Sequence, residues 1–256
     1  MTTTPVLDTA PSAWRSYRLE VRNEFLRLLR SPSFALPTLL FPPLFYLLFA
    51  VVLNRRGGPE IAAYLMASYG VFGVMAPGLF GFGVGIALDR ERGFLALKRA
   101  LPAPPGAIVL SRMAMAMLFA AVIALVLMAM GATLAGVALD PRQALLLFVV
   151  DVLGVLPFCA LGLFVGSLVG GQGAPAVVNL IYLPMAFLSG LWVPLKLLPG
   201  AIATVAPLWP SYHLAQIAAA VVGAPHDGRL PLNAAALAGF TLVFFLLARR
   251  RLARAG

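Results

Sequence analysis

The sequence predicts an all-α integral membrane protein. It would have six transmembrane helices, an N-terminal amphipathic interfacial helix, and a re-entrant extracellular helical hairpin before the last span. Three observations carry that expectation. Of 256 residues, 61% are hydrophobic and 11% charged, with a mean hydropathy of +0.95, whereas soluble domains carry roughly 25% charged residues. Phe34–Leu53, Ile61–Leu88 and Met113–Leu139 contain no Asp, Glu, Lys or Arg, and Gln143–Leu195 contains only Asp151; about 20 apolar helical residues cross a hydrocarbon core about 30 Å thick. The period-two alternation of outer-membrane barrel strands is absent.

Residues 1–12 read as disordered. In residues 13–30, Trp14, Tyr17, Val21, Phe25 and Leu28 recur at three- and four-residue spacing among five arginines, Arg18 and Arg22 among them. This is the pattern of a basic amphipathic helix lying in a membrane interface. A single transmembrane domain over 34–248 follows. Its spans are expected at about 34–53, 61–88, 113–136, 144–168, 176–192 and 233–248. Span one carries Pro37, Pro42 and Pro43, which neighbouring helices must compensate. Span two is glycine-rich, and Gly81 and Gly85 stand one turn apart, a spacing that permits close helix approach. Gly162, Gly166 and Gly170 repeat that step in span four, as a seam within the subunit or as a subunit interface, the former preferred. The charged connection 89–112 joins spans two and three. A basic tail, 249–256, ends the chain.

Between the fifth and last spans, Pro194, Pro199, Pro207 and Pro210 cut an apolar stretch into short pieces. Proline inside a helix removes a hydrogen bond and clashes with the preceding turn, so a straight crossing is excluded, and pieces of this length read as a re-entrant hairpin over 194–225. Charge tests the same point. With six spans, fourteen Lys/Arg fall on one side and five on the other. Basic loops stay cytoplasmic, so both termini are expected inside.

The net charge of +10 is read as orientation signals and lipid-headgroup contacts, not as a nucleic-acid surface. Cys159 is the sole cysteine, which excludes a disulfide and a cysteine-cluster metal site, and His213 and His226 are too isolated to build one. The polar, basic first 30 residues do not resemble a cleavable signal peptide, so span one is expected to serve as the insertion signal. No phosphate-binding loop, H-E-x-x-H or G-x-S-x-G motif occurs. Hence no catalytic residues, no metal site and no cofactor are expected in this chain, and energised work would draw on a partner. Asp151 is the sole ionisable residue inside a predicted span. A central carboxylate costs about 2.5–3.5 kcal/mol on insertion scales and is a functional candidate by default, here either a structural polar contact or part of a substrate path. Trp192 and Trp209, around the hairpin, read as interface anchors rather than ligand-stacking groups.

Two segments carry a resemblance. "DRERGFLALKRALPAPPGAIVLSRM" (Asp89–Met113) resembles the cytoplasmic connection of ABC-2-type exporter permeases, in which an acidic and basic cluster with E-x-G precedes a helix, a proline turn and the next span. "FLSGLWVPLKLLPGAIATVAPLWPSYHL" (Phe187–Leu214) resembles that family's L-S-G-x-x-x-P…L-P…P-x-x-Y signature, here Ser189, Gly190, Pro194, Pro199, Pro207, Pro210 and Tyr212. The similarity follows nearly the whole chain in order. It implies a type V exporter fold in which Asp89, Arg90, Glu91, Arg92, Gly93, Phe94 and Lys98 couple to a separate ATP-binding cassette subunit. The arm, with Trp14, Tyr17, Arg18, Arg22 and Phe25, would touch that subunit too. ATP and Mg would reside in the partner. A second permease subunit, a homodimer rather than a heterodimer, would complete the pathway. Phe94 stands where the family often has Thr, which removes any hydroxyl-dependent contact there.

The resulting expectation is a multi-pass permease of a bacterial cytoplasmic (inner) membrane, exporting a hydrophobic or amphipathic substrate (drug, antibiotic, lipid or lipid-linked glycan). The alternatives are an ABC-2-like sensor or scaffold and an ion-coupled secondary transporter. The latter should show several polar groups at mid-membrane. An intramembrane enzyme would need a second catalytic group beside Asp151.

Overall fold

The computed structural model describes residues 13–54, 57–94 and 106–254; the expectations for residues 1–12, Lys98 and the last two residues of the tail lie outside them. Among the described residues every regular element is helical, as lipid demands of a chain that must satisfy its backbone internally.

Helix α1 (Ala13–Leu29) precedes α2 (Pro32–Tyr46), which continues through a π turn over Leu47–Val52. Pro37, Pro42 and Pro43 lie inside α2. The widened turn just beyond them closes with Leu53 N–H donating to the Leu48 carbonyl at 2.9 Å, five residues back, as wide turns in membrane helices do. Next, α3 (Gly58–Ala76), a π segment (Pro77–Val84) and α4 (Gly85–Glu91) form one continuous 34-residue rod. Pro77 has no N–H to continue the α ladder, and the change of pitch starts there. Helix α5 (Ala107–Leu134) is uninterrupted. Helices α6 (Pro141–Gly154) and α7 (Leu156–Leu168) form another long rod with a hinge at Val155, just before Pro157. Asp140 caps α6: its carboxylate accepts from Gln143 N–H at 2.8 Å, while the Gln143 side chain accepts from Asp140 N–H at 3.1 Å.

Among the described residues, five helical stretches are long and apolar enough to cross a membrane: Pro32–Val52, Gly58–Glu91, Ile108–Leu134, Pro141–Leu168 and Leu230–Leu252. The fifth expected span is shorter. Helix α8 (Ala174–Leu188) has 15 residues, about 22 Å at 1.5 Å per residue, against a core of about 30 Å. Beyond it lie a 3₁₀ turn (Leu195–Leu197), α9 (Gly200–Val205), a second 3₁₀ turn (Ala206–Leu208) and α10 (Pro210–Val221). Pro194 and Pro199 stand just before their helices, Pro207 is the second residue of its turn and Pro210 the first of its helix, where a missing N–H costs nothing. Helix α11 (Leu230–Arg254) then runs through Arg249, Arg250 and Arg251, so the helix outlasts the apolar span by more than a turn.

The rod α3–α4 is the axis of the bundle. Its most apolar stretch is 78% buried, against 6% for α11, which therefore faces outward. The rod meets α7 along a glycine seam. A Cβ on Gly83 would come 2.7 Å from the Gly162 carbonyl oxygen, one on Gly78 would sit 2.9 Å from the Cys159 backbone, and Gly166 lies directly over the Gly83 carbonyl. Contact at backbone distance needs glycine on both sides. The seam is within the subunit, but it uses Gly78 and Gly83, whereas Gly81 faces Phe34 and Leu28, and Gly85 faces Arg112. Gly170 lies past the end of α7.

Candidate coupling site and pathway

At the end of α4, three consecutive charges are used inside the chain. Asp89 is 3% exposed and paired with Arg112, which is wholly buried at the start of α5. Arg27 of α1 reaches the other Asp89 oxygen at 3.5 Å and Glu24 at 2.6 Å, and Glu24 lies 3.6 Å from Arg112. Among the described residues two carboxylates and two guanidiniums thus meet as a quartet at the junction of α1, α4 and α5. A buried guanidinium without such partners would cost several kcal/mol. Gly85 leaves the space: a Cβ there would lie 3.0 Å from Arg112 Nη1.

The next two residues grip α7. Arg90 donates to the carbonyls of Ser167 and Val169, the latter at 2.9 Å, which satisfies and neutralises the negative end of a helix. The Glu91 carboxylate accepts from Gly171 N–H, and Arg251 Nε of α11 also reaches Ser167 O, at 3.4 Å. Arg92, Gly93 and Phe94 are exposed. The chain turns there, with Gly93 at φ +73°, a conformation that favours glycine. The seven-residue expectation for coupling therefore divides. Asp89, Arg90 and Glu91 tie spans and arm together, Arg92 and Phe94 face outward, and Lys98 lies outside the described residues.

The arm is docked as well as amphipathic. Phe25 packs on Phe119 of α5 with ring centroids 4.9 Å apart, while Arg18 and Arg22 are exposed and Tyr17 is half-buried. Trp14 is 71% exposed.

Asp151 is 2% exposed on α6 and lies against Gly70 of the rod, where a Cβ would come 2.9 Å from its carboxylate. Among the described residues it has no ion pair, and its Oδ1 has no hydrogen-bond partner. A separate aromatic group joins α2, the rod and the end of α8. Phe45 stacks on Tyr69 at 6.2 Å and on Trp192 at 6.1 Å, Phe72 meets Trp192 at 5.5 Å and Tyr182 at 5.2 Å, and Phe80 meets Tyr182 at 5.4 Å. Trp192 is thus packed among spans instead of standing as a free interface anchor.

Polar groups tie the short helices that follow α8 to their neighbours. Ser189 and Ser211 hydroxyls lie 2.5 Å apart, Gly190 turns the chain at φ +77°, and Tyr212 donates to Asp227 at 3.3 Å. Burial, then the Asp227 carboxylate, pushes the Tyr212 hydroxyl above the ordinary tyrosine range. His213, buried, contacts Asn233 Oδ1 at 2.7 Å and the Pro207 carbonyl at 2.9 Å, while Asn233 Nδ2 donates to Asp227 at 2.9 Å. Sequence reading missed this chain of contacts, as it missed Glu24, Arg27 and Arg112. Glu24 was the available signal, one of two acids in an otherwise basic helix and the one beside its apolar stripe.

The decisive comparison covers most of the chain: the family profile described as ABC-2 type transporter matches residues 15–222. The chain belongs to the ABC-2 type transporter family. It is also 28% identical over 192 residues, 74% of this chain and 78% of the relative, to a Bacillus subtilis (strain 168) protein named "Putative transport permease YvfS". The ABC-2 chain is accordingly a multi-pass transport permease subunit. Its family is a membrane component that normally carries no ATPase of its own and works with an ATP-binding partner.

Proposed function

We propose that this permease exports a hydrophobic or amphipathic substrate from the cytoplasm or the inner leaflet of a bacterial cytoplasmic membrane. Two copies pair as a homodimer, and a separate ATP-binding cassette subunit, holding ATP and Mg, drives the cycle. Each copy crosses six times, α8 being the short fifth crossing, with both termini cytoplasmic and the 194–225 hairpin re-entrant from outside. The observation that carries the reading is the double attachment of the connection that follows the rod. Asp89 ties it to α1 and α5, and Arg90 and Glu91 tie it to α7. A push on this point is delivered to four elements together. The exposed Arg92 and Phe94 offer the partner a cation beside an apolar ring, and the aromatic group of α2, the rod and α8 suits apolar cargo.

The test is co-purification of the tagged permease with an ATP-binding subunit expressed from the same cell, followed by substrate-stimulated ATP hydrolysis in vesicles. Phe94→Asp with Arg92→Glu should abolish stimulation while the variant inserts and unfolds at the wild-type temperature. Full stimulation in that variant, or a permease that transports with no nucleotide present, sinks the proposal.

A further inference from the structure

Where α11 leaves its apolar run, it forms with α4 and α7 an open pocket of about 770 Å³, lined by Arg90, Phe164, Ser167, Leu168, Leu247, Arg250 and Arg251. Among the described residues its lining holds three guanidiniums and no carboxylate. The interactions already described do not discharge them. Arg90 is held by two neutral carbonyls, Arg251 donates to Ser167 through Nε and keeps both terminal nitrogens, and Arg250 has no hydrogen bond or ion pair among the described residues. The other half of the pocket is apolar. Leu168 at the end of α7 and Leu247 on α11 are 44% and 40% exposed, and only 6% of the apolar stretch of α11 is buried within the chain.

We infer that this pocket binds the headgroup of an anionic glycerophospholipid, with its acyl chains lying along Leu168 and Leu247. Charge and position select that occupant together. Uncompensated arginines clustered between membrane helices at the edge of the apolar zone recruit phosphate headgroups, and guanidinium forks match phosphate oxygens in pairs. A free anion would gain nothing from the leucines, and a zwitterionic lipid brings a cation against three others. The bound lipid would bridge α4, α7 and α11, next to the residues that hold the connection to the spans.

The experiment uses the full chain reconstituted in nanodiscs of equal phosphatidylcholine and phosphatidylglycerol, with retained lipid counted by native mass spectrometry. Phosphatidylglycerol should be retained selectively. Arg250→Gln with Arg251→Gln should lower that retention by about tenfold or more, each arginine near an anionic surface being worth about fivefold. Lysine at both positions should restore most of it. Equal retention of the two lipids by the wild type, or displacement of phosphatidylglycerol by added inorganic phosphate, overturns the inference without any variant. So does a glutamine pair that keeps its lipid but no longer co-purifies with an ATP-binding subunit, which would assign the arginines to an acidic segment of that partner. Binding is read directly, so the result does not depend on the transport proposal.

Discussion

Arg112 shows how little a charge in a sequence says about where it will sit. In the one-dimensional pattern it is one more basic residue of the 89–112 connection, counted toward orientation. In the fold it is wholly buried, because α1, nearly ninety residues earlier, brings Glu24 and Arg27 beside Asp89. Removing one member of a buried ion pair strands the others, at a cost of about 3–5 kcal/mol. Arg112→Met should therefore lower the unfolding temperature sharply in detergent, and adding Asp89→Leu should recover most of the loss, since Arg27 keeps Glu24. A single variant as stable as the wild type would mean that the quartet is open to water. Asp151 gives the opposite expectation. Among the described residues it has no ion pair, and its buried Oδ1 has no hydrogen-bond partner; an unsatisfied buried polar atom carries its desolvation penalty, about 1–3 kcal/mol. Asp151→Asn should raise the unfolding temperature. If the carboxylate serves the pathway, transport should fall in the same variant; a lower unfolding temperature would instead reveal a partner. Its singularity was plain in the sequence. Its neighbour, the bare backbone at Gly70, was not, because that contact is set by how α6 leans on the rod.

At the scale of elements, much was legible, because lipid simplifies the problem. Uncharged runs located the long helices, and the prolines of 194–210 broke the chain where helices begin. The glycine steps announced a close approach, and Gly162 and Gly166 make one. Which glycines of span two would answer them was not legible. Gly81 and Gly85 share the four-residue step, but the change of pitch after Pro77 rotates Gly78 and Gly83 onto α7 instead. Gly83→Val should thus cost more than the 1–3 kcal/mol or so of ordinary overpacking, since backbone cannot yield as a side chain can. Gly239→Ala, which meets nothing within 4 Å on α11, should be neutral or gain about 0.5–1 kcal/mol from helix propensity. Comparable losses at both positions, measured by thermal unfolding, would dissolve the seam.

For the molecule as a whole, topology is the claim with the most reach, and the single cysteine makes it measurable. Cys159 is buried, so Cys159→Ala gives a background on which one new thiol reports one location. Thr204→Cys, exposed on α9, should react with an impermeant maleimide on intact cells. Arg250→Cys should react only after permeabilisation. Reversed labelling would turn the permease over in the membrane and remove the connection from any cytosolic motor. Charge counting predicts this topology from sequence because orientation depends on totals over loops, not on side-chain contacts. The length of α8 escaped it, because apolar residues continue past Leu188 while the helix does not.

The quartet also bears on how the chain is made. Glu24 and Arg27 sit within one turn of each other, Asp89 is synthesised much later, and Arg112 last of all. Once Asp89 has emerged, the acids of the set outnumber its bases until the ribosome supplies the final cation. Until then Arg27 alone of the four answers both Glu24 and Asp89, so the foot of the central helix is fully closed only once α5 has begun.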